Sequence, residues 1–345
     1  MLHLVGSAVD EHYADLSRLY ARGCLDANAD PHRYEFHVAH VRPDGCWQFP
    51  ADLRAESLTG ASPLTTAQAI EHISELQPDV VVPQMFCRPG MTAYRALFDV
   101  LGIPYVGNRA EVMALGADKA KAKAVVAAAG VDVAVGEVVR PGGQVHLAPP
   151  AVVKPVDADN SAGVTLVNTF DEYPAAMAEA FEHSTAALVE RFVPLGREVR
   201  CATIVRHGEL QCLPLEEYRV DPVHKPVRDA ADKLRRTSDG ELELVAKDSA
   251  HAWIVDVADP LTERVHDAAR RCHIALGCRH YGLFDFRIDP AGTPYFLEAG
   301  LYNSFAPSSV IAVMAAAAGI GVRDLFADAI DQALDDARER RQEIG

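Results

Sequence analysis

The sequence predicts an α/β first third with a Rossmann-like parallel-sheet domain, followed by two smaller lobes of α+β character. Three observations carry this prediction. Short apolar strands alternate with amphipathic helices up to about residue 110. Beyond that point strands come in closer succession, punctuated by turn sequences such as Pro141-Gly142-Gly143 and Asp289-Pro290-Ala291-Gly292. The length of 345 residues is enough for two or three lobes, each with its own core.

Each element follows from its pattern. Leu2 to Val5 is an apolar strand ending at Gly6-Ser7, and Asp10 to Ala27 is an amphipathic helix with Leu16, Leu19, Tyr20 and Cys24 at helical spacing. Tyr34 to Val41 alternates as a strand, and Thr65 to Leu76 is a helix with Ala69, Ile70, Ile73 and Leu76 on one face. Val80-Val81-Val82 has the composition of a buried strand; a helix over Thr92 to Leu101 and a strand over Ile103 to Val106 complete the first domain, 1–110. The second section, 111–190, opens on one Ala-rich helix from Val112 that ends at Gly130. Strands follow at Gly136–Arg140, Ala151–Val156, Val164–Val167 and Ala187–Phe192, with a helix over Asp171–Phe181. In the third section, 191–345, strands are expected at Glu198–Val205 and Leu210–Pro214, then a helix over Leu261–Leu276 and a hairpin of Gly282–Ile288 with Pro294–Glu298. The long polar stretch Val220 to Ser249 lacks periodicity and reads as a mobile loop or lid.

The charge balance narrows the function classes. With 33 basic and 49 acidic residues the formal net charge is −16, which argues against coating nucleic acid or docking on an anionic membrane. The longest apolar run, Val310 to Val322, is too short for a membrane span, and the N-terminus has no signal-peptide pattern. The seven cysteines form no CxxC pair, so we expect reduced thiols, a cytoplasmic location and no structural zinc.

The residues that carry chemistry are spread along the chain. Lys119 sits in Ala117-Asp118-Lys119, and Lys154 ends the apolar strand Val152-Val153-Lys154. Glu190 ends Ala187-Leu188-Val189-Glu190, and Glu198 follows Gly196-Arg197. Asp285 and Glu298 fall on the two strands of the expected hairpin. Lysines meeting paired carboxylates are what a nucleotide and its metal need: lysine supplies point charge to phosphate oxygens, and carboxylates hold Mg²⁺ against them. Singly, each residue is more often a solvated surface group. No GxxxxGK[ST] and no GxGxxG after the first strand is present, which disfavours a Walker-type site and a Rossmann oxidoreductase.

In this order and context the residues resemble the ATP-grasp ligases of the D-alanine–D-alanine ligase type. The resemblance is clearest from Leu101-Gly102-Ile103-Pro104-Tyr105-Val106-Gly107 onward, and Gly282 to Glu298 is its most specific stretch. It implies an ATP-grasp fold, ATP and Mg²⁺ (or Mn²⁺) as cofactors, amino acids as substrates and a homodimer. By residue, it implies phosphate contacts from Lys119 and Lys154, with Lys247 as a lid lysine. Asp157 to Gly163 resembles the phosphate loop, with Ser161 and Gly163 at its matching positions. Glu190 resembles the acid beside adenine and Glu198 the acid on the ribose. Asp285 and Glu298 resemble the metal ligands. Glu11 aligns with the acid that takes the first substrate's ammonium, and Ser309, with Ser304 nearby, falls at the second substrate's carboxylate.

Departures from the pattern bear on the substrate. The family's arginine two residues before the metal aspartate is Leu283 here, leaving Arg287 or Arg279 to supply its charge. The Asn of its Glu-x-Asn is Gly300, leaving Asn303 or a water to complete the metal shell. Its acidic segment is Phe86-Cys87-Arg88-Pro89-Gly90-Met91-Thr92, and Arg88 with Arg95 points to a substrate bearing an extra carboxylate. The expected function is therefore an ATP-dependent ligase that joins one amino acid's carboxylate to another's amine through an acyl phosphate, with a dipeptide or γ-glutamyl-type product other than D-Ala–D-Ala. D-alanine–D-alanine ligation is the alternative, and a non-catalytic ATP-binding protein is the rival from another class.

Overall fold

The computed structural model describes residues 1–158, 162–221, 234–236, 242–244 and 251–344. The expected site residues Ser161 and Lys247, and most of the expected lid, lie outside the described residues.

The first sheet is built from β1 (Leu2–Gly6), β2 (His37–Val41), β3 (Trp47–Gln48) and, after the helices, β4 (Val81–Pro83), in the order β3-β2-β1-β4. β1 runs parallel to β2 and β4, while the short edge strand β3 is antiparallel, so the sheet is mixed. Its helices are α1 (Glu11–Asn28), α2 (Ala55–Gly60), α3 (Thr66–Leu76), α4 (Arg88–Met91) and α5 (Ala93–Leu101). Asp10 caps α1 by accepting from the Tyr13 amide, and Thr65 with Gln68 forms a capping box on α3. β1 can end only in glycine: Gly6 has φ +102, and a Cβ there would lie 2.0 Å from the Val41 carbonyl oxygen. The strand expected at Ile103–Val106 is reduced to a single parallel bridge, Val81 to Tyr105.

The Ala-rich helix expected to run unbroken is two helices, α6 (Ala110–Ala117) and α7 (Lys119–Ala128), divided at Asp118. The Asp118 side chain accepts from the Lys121 amide and starts a new helix with Lys119 as its first residue. The second sheet contains β5 (Gly136–Val139), β6 (Ala151–Pro155), β7 (Thr165–Val167) and β8 (Ala187–Arg191), ordered β5-β8-β6-β7, all antiparallel, with α8 (Tyr173–His183) packed on it.

The third sheet holds β9 (Arg197–Arg206), β10 (Glu209–Cys212) and β11 (Glu216–Tyr218), with three later strands. Within the stretch expected to be a lid, β12 (Leu234–Arg236) and β13 (Leu242–Leu244) pair with each other. β14 (Ala252–Ile254), α9 (Thr262–Leu276), β15 (Tyr281–Ile288) and β16 (Pro294–Gly300) follow, and the sheet runs β14-β11-β9-β15-β16 with β10 on β9. α9 packs its Val265, Ala269, Cys272 and Leu276 face against Phe284, Phe286 and Phe296. The chain ends in α10 (Val310–Ala317) and α11 (Val322–Ile344). α10 buries Ile311, Met314 and Ala315 in a core shared with Phe326 and Ile330. Among the described residues no single helix is long and apolar enough to cross a membrane.

Candidate active site

The register of the third sheet places its charged residues in two rows on one face, because residues directly opposite in antiparallel strands share a face. Glu298, Asp285, Arg200 and Glu216 form one row across β16, β15, β9 and β11. Arg287, Glu198 and Tyr218 form the next. The second sheet faces this surface across a cleft lined by Lys119, Lys154, Glu190, Glu198, Asp285, Arg287 and Glu298 among others. Seven residues expected from the sequence, drawn from six elements, thus line one cavity.

At the cleft's inner wall, Lys154 Nζ lies 2.5 Å from Glu190 Oε2 and Lys123 Nζ 2.5 Å from Glu190 Oε1. All three are buried. Burial alone would raise the Glu190 carboxyl, but Lys123 and Lys154 outweigh it and hold the group below the usual carboxylate range. Burial likewise pushes the Lys123 ammonium down to about 8 against the pull of Glu190. Lys123 also donates to the Phe296 carbonyl at 3.0 Å, tying α7 to β16. It was not among the expected site residues. Four residues after Lys119, it falls on the same helix face.

Lys119 Nζ stands 3.4 Å from Glu298 Oε2 and donates to the Ala158 carbonyl at the start of the 157–163 loop. Gly163 closes that loop at φ +65, where a Cβ would press on His183 at 2.8 Å. Arg287 Nη2 donates to Glu198 Oε2 at 2.9 Å, and its guanidinium lies 5.4 Å from the Phe192 ring centroid.

Asp285 is clasped by Arg200, Nε to Oδ1 at 2.6 Å and Nη2 to Oδ2 at 3.0 Å. Arg200 is the second residue missed from sequence. It stands two positions after Glu198, and so shares its strand face. Among the described residues no group of three His, Cys, Asp or Glu side chains is arranged to hold a metal alone. Asp285 and Glu298, opposite each other on adjacent strands, nevertheless fit Mg²⁺, which binds through one or two carboxylates with phosphate oxygens completing its shell.

Other expected residues are placed elsewhere. Arg95 is fully buried under the 101–107 segment, donating to the Val106 and Asn108 carbonyls at 3.2 and 3.0 Å, so it cannot reach a substrate. Arg279 is committed to the Tyr105 and Gly107 carbonyls at 2.6 and 2.9 Å. Arg88 pairs with Asp157 at 2.7 Å, linking α4 to the 157–163 loop. Asn303 is buried beside Tyr281 and Phe305, facing α11, and does not line the cleft. Glu11 is exposed at the start of α1, 3.2 Å from Arg18. Ser304 donates to the Tyr20 carbonyl at 3.4 Å, and Ser309 sits buried at the N-terminus of α10.

Comparison with known proteins places this arrangement in a lineage. Residues 143–331 match the family model described as D-ala D-ala ligase C-terminus. The chain is 29% identical to the D-alanine–D-alanine ligase of Mycolicibacterium smegmatis, covering 93% of this chain and 94% of that one. It is also 29% identical to that of Halalkalibacterium halodurans, over 74% and 82% of the two chains. Among solved structures, the D-alanine–D-alanine ligase of Coxiella burnetii superposes with TM-score 0.75 at 18% identity, covering 99% of this chain and 97% of that one. VanG D-Ala:D-Ser ligase of Enterococcus faecalis gives 0.76 at 22%, covering 96% and 98%. The Bacillus anthracis D-alanine–D-alanine ligase complexed with ATP gives 0.72 at 19%, covering 98% of each. The chain therefore belongs to the D-alanine–D-alanine ligase family of ATP-grasp enzymes, the ATP-dependent carboxylate–amine ligases.

Proposed function

We propose that the chain is a D-alanine-type dipeptide ligase, which activates the carboxylate of D-alanine with ATP and joins it to the amine of a second D-amino acid. The observation that carries this reading is the 29% identity over almost the full length of both chains to a D-alanine–D-alanine ligase. D-Ala–D-Ala, expected from sequence only as the alternative, has better support than a γ-glutamyl-type product. The case for an acidic substrate rested on Arg88 and Arg95, and these side chains are engaged by Asp157 and by backbone carbonyls.

In this reading Lys119 and Lys154 neutralise phosphate oxygens, Ser161 and Gly163 belong to the loop over them, and Lys247 approaches from the lid. Glu190 and Glu198 border the adenosine, with Arg287 fixing Glu198. Asp285 and Glu298 hold Mg²⁺, which when bound offsets charge on the transferring phosphoryl group. Asn303, remote from the cleft, has no part in that shell. Glu11, Arg88, Ser304 and Ser309 belong to the substrate side. The first substrate's carboxylate oxygen attacks the γ-phosphorus and the bond to ADP breaks, giving an acyl phosphate. The second substrate's amine then attacks the carbonyl carbon, phosphate leaves, and an amide remains. Closure over the cleft excludes the water that would hydrolyse the acyl phosphate.

Incubation with ATP, Mg²⁺ and D-alanine, alone and with a panel of D- and L-amino acids, followed by mass identification of products, tests this reading. D-Ala–D-Ala or another D-Ala–D-X dipeptide is expected. Products containing only L-amino acids, or none containing D-alanine, would overturn it.

A further inference from the structure

The carboxylates that line the cleft among the described residues are each paired to a cation of the chain. Glu190 meets Lys123 and Lys154, and Glu198 meets Arg287. Asp285 meets Arg200, and Glu298 meets Lys119. These last two pairs fall on the residues that fit Mg²⁺, and they differ in kind. Arg200 clasps both oxygens of Asp285, Nε to Oδ1 at 2.6 Å and Nη2 to Oδ2 at 3.0 Å. Its guanidinium carbon also sits 5.2 Å from the Tyr218 ring centroid, and the Tyr218 hydroxyl donates to Glu216. Asp285 lines the cleft and Arg200 does not, so Arg200 stands behind that carboxylate.

Lys119 is held more loosely. It lines the cleft itself, stands 3.4 Å from one oxygen of Glu298, and donates to the Ala158 carbonyl. An ammonium on a four-carbon stem is a mobile point charge, whereas a guanidinium forked onto both oxygens of a carboxylate is fixed. Phosphate oxygens entering the cleft can therefore draw Lys119 from Glu298, but they do not reach Arg200 behind Asp285. A divalent cation that meets these residues by itself faces two carboxylates already balanced by cations, so its net attraction to them is small. Arriving with phosphate oxygens, it gains ligands from the nucleotide and the charge of Glu298.

We propose that Arg200 is the standing counter-charge of Asp285 and Lys119 the exchangeable one of Glu298, so that the chain takes up a divalent cation only together with a nucleotide. This rests on the nucleotide-binding part of the ligase reading above. Arg200 is a positioning residue here: it acts through Asp285 and touches no substrate.

The test titrates Mn²⁺, a paramagnetic stand-in for Mg²⁺, into the full-length protein without nucleotide and reads free Mn²⁺ by electron paramagnetic resonance. Calorimetry measures ATP binding in EDTA and in Mg²⁺. In wild type, Mn²⁺ alone should bind no tighter than about 1 mM, while ATP should bind even in EDTA. Arg200→Gln removes the cation and keeps a side-chain donor for Asp285, so its affinity for Mn²⁺ without nucleotide should rise roughly tenfold. Arg200→Lys keeps the charge and should stay within about twofold of wild type. Tighter binding of Mn²⁺ alone to wild type would overturn the proposal. So would a folded Arg200→Gln with no gain, or ATP that binds wild type only when Mg²⁺ is present. Should Arg200→Gln fail to fold, the wild-type titrations decide by themselves. A wild type that binds no ATP, with or without Mg²⁺, would remove the nucleotide reading and this proposal together. Tight binding of Mn²⁺ alone to a wild type that does bind ATP would remove only this one.

Discussion

At the scale of single residues, the Lys123–Glu190–Lys154 triad shows how the second sheet and α7 are joined through charge. Two ammonium groups, each 2.5 Å from one carboxylate, are out of water, so the carboxylate cannot be neutralised without leaving like charges facing each other. Glu190→Gln should therefore cost about 3 kcal/mol of stability, read as a lower urea midpoint. Adding Lys123→Met should recover part of the loss, because the two sites are directly coupled. An unchanged midpoint in the single variant, or strict additivity in the double, would contradict this account. The sequence pointed to Lys154 and Glu190 through strand-end context but not to Lys123, whose neighbours are all alanine or lysine. The partner that makes Lys123 matter is 67 residues away in the chain and only the fold brings it near. Arg200 escaped for the same reason: its meaning comes from register with Asp285, 85 residues later.

Among the elements, the division of α6 from α7 sets the site geometry. Helical periodicity continues through residues 112–128, so nothing in the apolar pattern marks a break. The mark is a single capping residue, Asp118, and its consequence is that Lys119 starts a helix beside the 157–163 loop instead of lying along one. Asp118→Ala should lower stability by about 1 kcal/mol, and Asp118→Asn by much less, since asparagine caps nearly as well. Because the same residue seats Lys119, Asp118→Ala should also raise the KM for ATP, and Asp118→Asn should restore it. Loss of stability without any change in that KM would mean that Lys119 is placed by other contacts. The hairpin β15–β16 was legible from its turn and alternation, whereas the edge strand β3, two residues long, had no pattern to read. The antiparallel character it adds to the first sheet is a tertiary outcome.

For the whole molecule, the fold class followed from the order of strands and helices, and the cleft residues could be named before any coordinates from their context: Lys119 opens a helix, Lys154 and Glu190 lie near strand ends, and Asp285 and Glu298 fall on the two strands of a hairpin. Where an expected site residue fell away from the cleft in the core, the cause was burial. Arg95, Arg279 and Asn303 sit at positions that in sequence look available to a substrate or metal, but the 101–107 segment and α11 close over them. The overall charge of −16 is compatible with a phosphate ligand because Lys119 and Lys154 collect at one cleft.

The most direct measurement of the central claim is phosphate release from ATP in the presence of Mg²⁺, with and without D-alanine, in wild type and Lys154→Ala. Release that requires D-alanine and falls by about a hundredfold or more in the variant is the predicted result. Release that ignores the amino acid, or that survives in Lys154→Ala, would contradict it.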